Sequence, residues 1–285
     1  MSKIKVFCFG FGQVAKYFVR KIIKENKSIE LNISSRQKTH PSKFEGLDLN
    51  SYELSDNKID KNITSKIQDA DYILVSIPPV NDEDIVVKNF KETIKKTNLK
   101  WITYLSATSV YGNHNGAWVN ENSETKPSSA NGIKRLKAEN QWLKFSNENN
   151  LPLQIFRLSG IYSAENNILK RLISGQTKVV KKENHFFSRI HVKDISEILY
   201  LSLINIKENQ IFNLADNKPA SSVEVTSYAS KLLGCELPTK INFEDLEEGV
   251  LKDFYRDSKK VSNEKVKKEL NYEFIYPSYK EGLAQ

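Results

Sequence analysis

Ile4-Lys5-Val6-Phe7-Cys8-Phe9-Gly10-Phe11-Gly12-Gln13-Val14-Ala15 decides how the rest of the chain is read. A short apolar run long enough for one strand meets a Gly-x-Gly-x-x-Ala turn. Val14, Phe18 and Ile22 then follow at helical spacing. In such a strand-turn-helix, Gly10 permits the tight bend and Gly12 lets phosphate approach the main chain. Ala15 lets the helix lie close on the strand. The N–H groups of the turn, with Gln13 and Val14 opening the helix, then face a pyrophosphate.

Outward from this turn, β-like runs alternate with amphipathic stretches. The strands expected are Ile4–Phe9, Ile29–Ser34, Tyr72–Ile77, Trp101–Leu105 and Leu153–Leu158, each apolar through its centre as in strands buried on both faces. Helices are expected at Val14–Lys24, Ile85–Ile94 and Ile133–Phe145. The order βαβα predicts an α/β protein with a doubly wound parallel sheet, a Rossmann fold. Past Leu158 the order changes. A loop and short helix around Asn166–Ser174 precede an extended Gln176–Val180, and Asp194 with Glu197 reads as a capping box opening a helix Ile195–Leu203. A strand Ile211–Leu214 and a helix Val223–Leu233 lead to a charged C-terminal third. The expected division is a dinucleotide-binding domain at 1–160, extended by about 189–216, and a smaller C-terminal substrate lobe from 161–188 and 217–285.

Composition narrows the class. A chain of 285 residues buries a large core without disulfides, and its 39% hydrophobic residues come in runs too short for a membrane span. The N-terminus has no secretory pattern, so a cytoplasmic protein is expected. Cys8 and Cys235 have neither metal-ligand nor disulfide spacing; both are expected to be reduced and structural, and no metal site is expected. The formal charge of +8 is dispersed among asparagines and acidic residues, and the cluster Lys178 to Lys182 is broken by valines. Neither nucleic acid nor membrane is expected as a partner, while the basic bias favours an anionic cofactor.

The end of the second strand discriminates between dinucleotides, because a carboxylate there holds the ribose 2′-hydroxyl and repels a 2′-phosphate. Here the chain reads Asn32-Ile33-Ser34-Ser35-Arg36. Ser35 and Arg36 offer a hydroxyl and a guanidinium suited to a phosphate monoester, which favours NADP and leaves NAD open.

The turn, Ser106-Ala107-Thr108-Ser109-Val110-Tyr111-Gly112, Phe156-Arg157-Leu158-Ser159-Gly160-Ile161-Tyr162, His191-Val192-Lys193-Asp194 and Asn213-Leu214-Ala215-Asp216 together resemble the extended short-chain dehydrogenase/reductases, the superfamily of sugar-nucleotide epimerases and dehydratases. Ser76-Ile77-Pro78-Pro79, Gly116-Ala117-Trp118-Val119-Asn120-Glu121 and Ser188-Arg189-Ile190-His191-Val192 look like its atypical, YeeZ-like subgroup. The resemblance spans nearly the whole chain. It implies an NADP(H)-dependent oxidoreductase or epimerase-like enzyme acting on a small polar substrate, anionic or a sugar nucleotide. It also implies cofactor contacts at Ser76, Ile77 and Pro78. Relatives often dimerise through helices matching Ile85–Ile94 and Ile133–Phe145; monomer and homodimer stay open here, as does interface or core for Trp142.

The same family works with a Ser or Thr, a Tyr and a Lys. Laid on this chain, its pattern puts Ala107, Asn131 and Arg135 in those places. Asparagine has no proton to give near neutral pH. Arg135 still offers donors to a cofactor ribose. An acid must then come from elsewhere, and the candidates are Ser106, Thr108 and Tyr111, with His114 nearby. Trp118 is a candidate apolar wall of the substrate site and Arg189 a candidate anion contact, ahead of Arg157 and of His191, which reads more simply as bracing its loop. The alternative function is a non-catalytic NADP(H)-binding sensor or regulatory protein, since three catalytic places change while the glycine turn stays.

Overall fold

A computed structural model describes residues 3–25, 28–37, 42–80, 83–175, 177–207 and 209–285. Its strands are β1 (Ile4–Phe9), β2 (Ile29–Ser35), β3 (Ser42–Phe44), β4 (Leu47–Ser55), β5 (Lys58–Ile59), β6 (Tyr72–Val75), β7 (Trp101–Ala107), β8 (Trp118–Val119), β9 (Leu153–Leu158), β10 (Gly160–Tyr162), β11 (Val179–Lys181), β12 (Arg189–His191), β13 (Gln210–Leu214), β14 (Lys240–Asn242) and β15 (Lys260–Val261). The helices are α1 (Gln13–Lys24), α2 (Ile63–Gln68), α3 (Ile85–Ile94), α4 (Ala130–Asn149), α5 (Ile168–Ile173), α6 (Val192–Ile204), α7 (Ser222–Leu233), α8 (Val250–Arg256), α9 (Glu264–Leu270) and α10 (Tyr279–Leu283).

The large sheet runs β13-β9-β7-β6-β1-β2-β4-β3, with β5 on β4. β1 pairs in parallel with both β2 and β6, so the strand order reverses between β1 and β6. The register sets Phe9 between Ser34 and Val75, so the three strands end in one row, at the switch point where open α/β sheets bind their ligands. The expected doubly wound sheet is therefore present.

The chain divides into two compact units. Unit 1 comprises Met1–Ser106, Lys134–Phe156 and Ile195–Ile211; unit 2 comprises Ala107–Ile133, Arg157–Asp194 and Phe212–Gln285. Residues 107–133, assigned to the first domain from sequence, cluster in unit 2, because the chain leaves the sheet at the carboxyl end of β7. In unit 1, Phe7 and Phe9 of β1 with Ile73 and Val75 of β6 pack against Val86 and Phe90 of α3 and Ala138 and Trp142 of α4. Trp142, fully buried, is thus a core residue. Strand alternation sends Trp101 the other way, where it stacks on Phe18 of α1 at 5.7 Å. Lys21 of α1 meets Glu197 of α6 at 2.5 Å on that side. In unit 2 the short parallel pairs β10 with β12, β11 with β14 and β15 with β8 accompany two small cores. One is built on Tyr162, Val225 and Tyr279, the other on Val180, Leu246 and Tyr255.

Several expectations need correction. Strand β6 stops at Val75 and Ser76–Pro79 leaves the sheet, as the two prolines dictate. The extended stretch falls at Val179–Lys181; Gln176 lies outside the described residues. Asp194 does not cap a helix. It is the third residue of α6, and its buried carboxylate accepts from Tyr272 Oη (2.6 Å) and the main-chain N–H groups of Ile275 (2.7 Å) and Tyr276 (3.3 Å). The capping box belongs instead to Ser221 and Glu224 on α7. Cys8 is buried, its thiol pushed up to about 12 by desolvation, whereas Cys235 is exposed after the left-handed Gly234 that ends α7 and supports no core. Among the described residues no helix is long and apolar enough to cross a membrane.

Candidate functional site

The glycine turn of unit 1 is held by a left-handed glycine and two serines. Gly10 has φ +85, and a Cβ there would lie 2.6 Å from Ile77 Cγ2 and 2.9 Å from Ser76 Oγ. Its N–H donates to Ser34 Oγ at 3.2 Å. The Ser76 hydroxyl lies 3.0 Å from the carbonyl oxygens of both Phe9 and Gly10 and ties the end of β6 to the turn. Ser76, Ile77 and Pro78 are thus brought together with Gly10. Gly12 differs: its φ of −79 suits any residue, and a Cβ there would meet nothing within 4 Å. The open space above its main chain, with no side chain capping α1 and no acidic residue in the first turn at Gln13 and Val14, fits a negatively charged group at the helix end.

At the end of β2, the Ser35 hydroxyl donates to the Gln37 carbonyl at 2.5 Å and lies 3.1 Å from Ser51 Oγ. Arg36 is exposed and, among the described residues, has no ion-pair partner. The β4 residue in register with Ser35 is Glu53, paired with Lys58 at 2.8 Å. Sequence reading missed this acid because it missed β4, whose Leu-Asp-Leu-Asn-Ser-Tyr-Glu-Leu-Ser is recruited by main-chain pairing with β2 rather than by an apolar centre.

Arg135 projects from α4 and donates to the Leu105 carbonyl at 2.8 Å and to Tyr104 Oη at 3.2 Å. Near it, the buried Asp84 caps α3 through Val86 N–H (2.9 Å) and Val87 N–H (3.0 Å). Burial pushes its carboxyl upward, opposed by those N–H groups, the Trp142 indole and the charge of Arg135. Ser106, at the end of β7, is buried and its hydroxyl has no hydrogen-bond partner among the described residues.

In unit 2, Thr108 is half-buried in a 3-10 turn that ends at Tyr111. Tyr111 is fully buried: its phenol donates to Asn213 Oδ1 (2.8 Å) and accepts from Arg157 Nη1 (2.9 Å), with the guanidinium over its ring at 4.9 Å. Burial raises its pKa, against the pull of Arg157. Asn213 is in turn fixed by Glu121, which accepts its main-chain N–H at 2.8 Å. The phenol is thus engaged on both sides within unit 2. His114 joins the Tyr111 and Glu124 carbonyls at 3.1 and 3.2 Å. His191 is packed between Tyr162 and Tyr276, and burial holds it down at about 4. Arg189 donates to the Phe187 and Ala220 carbonyls at 3.0 and 2.9 Å but has no carboxylate partner among the described residues. Phe187 stacks on the exposed Phe254 at 4.5 Å. Trp118 is 58% exposed.

A sequence profile of the NAD dependent epimerase/dehydratase family matches residues 10–215. No curated protein sequence matches the chain. A conserved protein of unknown function from Silicibacter pomeroyi has a similar structure, with TM-score 0.87, 29% identity, and 99% of this chain and 97% of that one covered. UDP-glucuronic acid 4-epimerase from Bacillus cereus, solved with NAD, gives TM-score 0.77 at 16% identity over 98% of this chain and 94% of that one. The dTDP-glucose 4,6-dehydratase of Bacillus anthracis, also solved with NAD, gives 0.78 at 16% over 98% and 94%. At that identity the likeness is one of fold.

Proposed function

The chain belongs to the NAD dependent epimerase/dehydratase family, and from that premise we propose that it holds NADP(H) on unit 1 and works as an oxidoreductase or epimerase-like enzyme. The substrate is small, polar and anionic, of the sugar-nucleotide kind that two of the structural neighbours handle. The observation that carries the cofactor reading is the turn itself: Gly12 with empty space where its side chain would be, opening an uncapped helix. Arg36, exposed and without an ion-pair partner among the described residues, supports the 2′-phosphate; Glu53 beside Ser35 is the group through which NAD binding would enter instead. A bound nicotinamide supplies hydride transfer.

This chain's own residues bind and orient. Gly10, Gly12, Gln13 and Val14 present main-chain N–H groups, while Ser76, Ile77 and Pro78 close the turn. Ser35 and Arg36 take the adenosine ribose side, and Arg135, fixed on the Leu105 carbonyl, offers its remaining donors to a ribose. For the substrate, Arg189 supplies a guanidinium that makes no carboxylate contact among the described residues, with the charge of Asp216 acting on it from a distance. Ser106 and Thr108 remain the hydroxyl candidates, Ser106 with an oxygen that has no hydrogen-bond partner among the described residues. Tyr111 is reassigned from acid to positioning residue. A protein of the cytoplasm fits a reduced, buried Cys8 and a soluble cofactor.

A second reading, an NADP(H)-binding protein without turnover, is favoured by the engaged phenol of Tyr111 and by Asn131 in place of an ionisable residue. One assay series separates the two. NADPH and NADH dissociation constants are measured first, then nicotinamide absorbance and product stereochemistry are followed over a panel of carbonyl compounds and sugar nucleotides. Turnover on any sugar nucleotide supports the enzyme; tight NADPH binding with no turnover across the panel supports the second reading, and equal affinities for both cofactors remove the NADP preference.

A further inference from the structure

Unit 2 contains a cavity of about 360 Å³ that none of the cofactor candidates and none of Ser106, Thr108 and Tyr111 lines. Its walls include Trp118, Asn120, Asp216, Asn217, Glu264 and Lys267. The volume lies within the ~300–1,000 Å³ common for small-molecule sites. We infer that this cavity binds the pyranose ring of an uncharged sugar, stacked on Trp118 and hydrogen-bonded through its hydroxyls to Asp216 and the asparagine amides.

Three observations of chemistry and one of charge carry this. First, Trp118 is 58% exposed while Trp101 and Trp142 are fully buried, so one indole alone offers a free face, and the C–H face of a pyranose packs on such a surface by dispersion and apolar burial. Second, the second oxygen of Asp216 is buried with no hydrogen-bond partner among the described residues, its first being held by Lys218 N–H at 3.0 Å. A buried acceptor without a donor is costly, and a ligand hydroxyl would satisfy it. Burial keeps this carboxyl up at about 7. Third, the amide oxygens of Asn120 and Asn217 are already engaged, by Asn122 N–H at 3.0 Å and Asn263 Nδ2 at 2.8 Å, which fixes both amides and leaves their NH₂ groups as donors. Hydroxyls both donate and accept, and so meet this mixture of one acceptor and two donors. Finally, the cation on the wall, Lys267, is neutralised by Glu264 at 2.9 Å. The cavity lining therefore offers no unpaired cation for a phosphate.

Because the other two tryptophans are buried, acrylamide quenching of the full-length protein reports chiefly on Trp118. Titration with glucose, galactose and mannose is expected to change the emission saturably and to protect it from acrylamide, with a dissociation constant on the order of 1 mM for so small a ligand. Trp118→Ala, at an exposed site, abolishes binding measured by calorimetry. Asn120→Ala, also exposed, weakens it about tenfold, the loss of roughly one hydrogen bond to a polar ligand. Asp216→Asn does the same if it folds, and the Asn120 variant decides if it does not. Failure of all three hexoses to saturate a signal, retention of calorimetric binding in Trp118→Ala, or stronger binding of UDP or inorganic phosphate than of hexose at this cavity overturns the inference. NADPH affinity, measured on the same preparation, tests the cofactor reading separately, since Gly12→Val removes it while leaving hexose binding intact.

Discussion

At the scale of single residues, the two glycines of the turn do different work, and substitution separates them. Gly10→Ala is expected to destabilise the protein by about 1–2 kcal/mol or more, since an L side chain at φ +85 is strained and its Cβ would also overlap Ile77 and Ser76. A lowered urea midpoint at unchanged m-value is the check. Gly12→Val keeps the midpoint near that of the parent, because nothing lies within 4 Å of the new Cβ, yet it abolishes NADPH binding. Arg36→Ala is expected to weaken NADPH about tenfold and to leave NADH unchanged, as loss of one charge-assisted contact to a phosphate implies; paired fluorescence titrations read the ratio. Tyr111→Phe leaves Asn213 Oδ1 and an Arg157 N–H unsatisfied in the interior, a loss of about 1–3 kcal/mol. Any fall in turnover should then follow stability and be recovered at lower temperature, whereas an acid would lose turnover at full stability. The residue types of the turn were legible in sequence because glycine spacing is itself the constraint. The engagement of Tyr111 was not, since its partners, Asn213 and Arg157, lie 102 and 46 positions away.

At the scale of elements, legibility tracked hydrophobic periodicity. β1, β7 and β9 are predominantly apolar runs and α1 and α3 have clear apolar stripes, and each appears where expected to within a residue or two. β4 was missed because its buried side is thin and its pairing with β2 is made by main chain. Asp194 was misread because a carboxylate near a helix start is satisfied equally well by a cap or by distant partners, and here Tyr272, Ile275 and Tyr276 supply the donors. The capping box of α7 gives an element-level test. Ser221→Ala is expected to cost about 1 kcal/mol by removing the acceptor for Glu224 N–H, measurable as a lowered Tm. Asp194→Ala, which strands three donors, should cost more.

At the scale of the whole molecule, buried ionisable groups set the response to pH. His185 and His191 are held down at about 4 by burial, against an ordinary value of 6.5. The unfolded chain therefore binds more protons between those values, and stability rises with pH from about 4 to 6.5 through both groups. Asp216, raised from 3.8 to about 7, has the opposite slope: its contribution is complete at low pH and is lost as pH climbs through 7. Asp84, which burial also pushes up, has the same slope as Asp216, so two histidines stand against two carboxyls and the test is a difference: Asp216→Asn is expected to make Tm climb more steeply with pH between about 4 and 7 than it does in the parent. An unchanged pH profile of Tm in Asp216→Asn would contradict this burial assignment.

Sequence alone determined the α/β class and the glycine turn that follows the first strand, because short-range spacing of glycine and apolar residues is read off one stretch of chain. The expectation that Asn131 and Arg135 stand where the related enzymes carry tyrosine and lysine also came from sequence alone. Only tertiary structure decided that Tyr111 is engaged by Asn213 and Arg157, that Arg189 contacts no carboxylate among the described residues, that Glu53 pairs in register with Ser35, and that Trp118 shares a cavity with Asp216. Each of those is a contact between segments far apart in sequence, fixed by burial and hydrogen-bond satisfaction that no local pattern encodes.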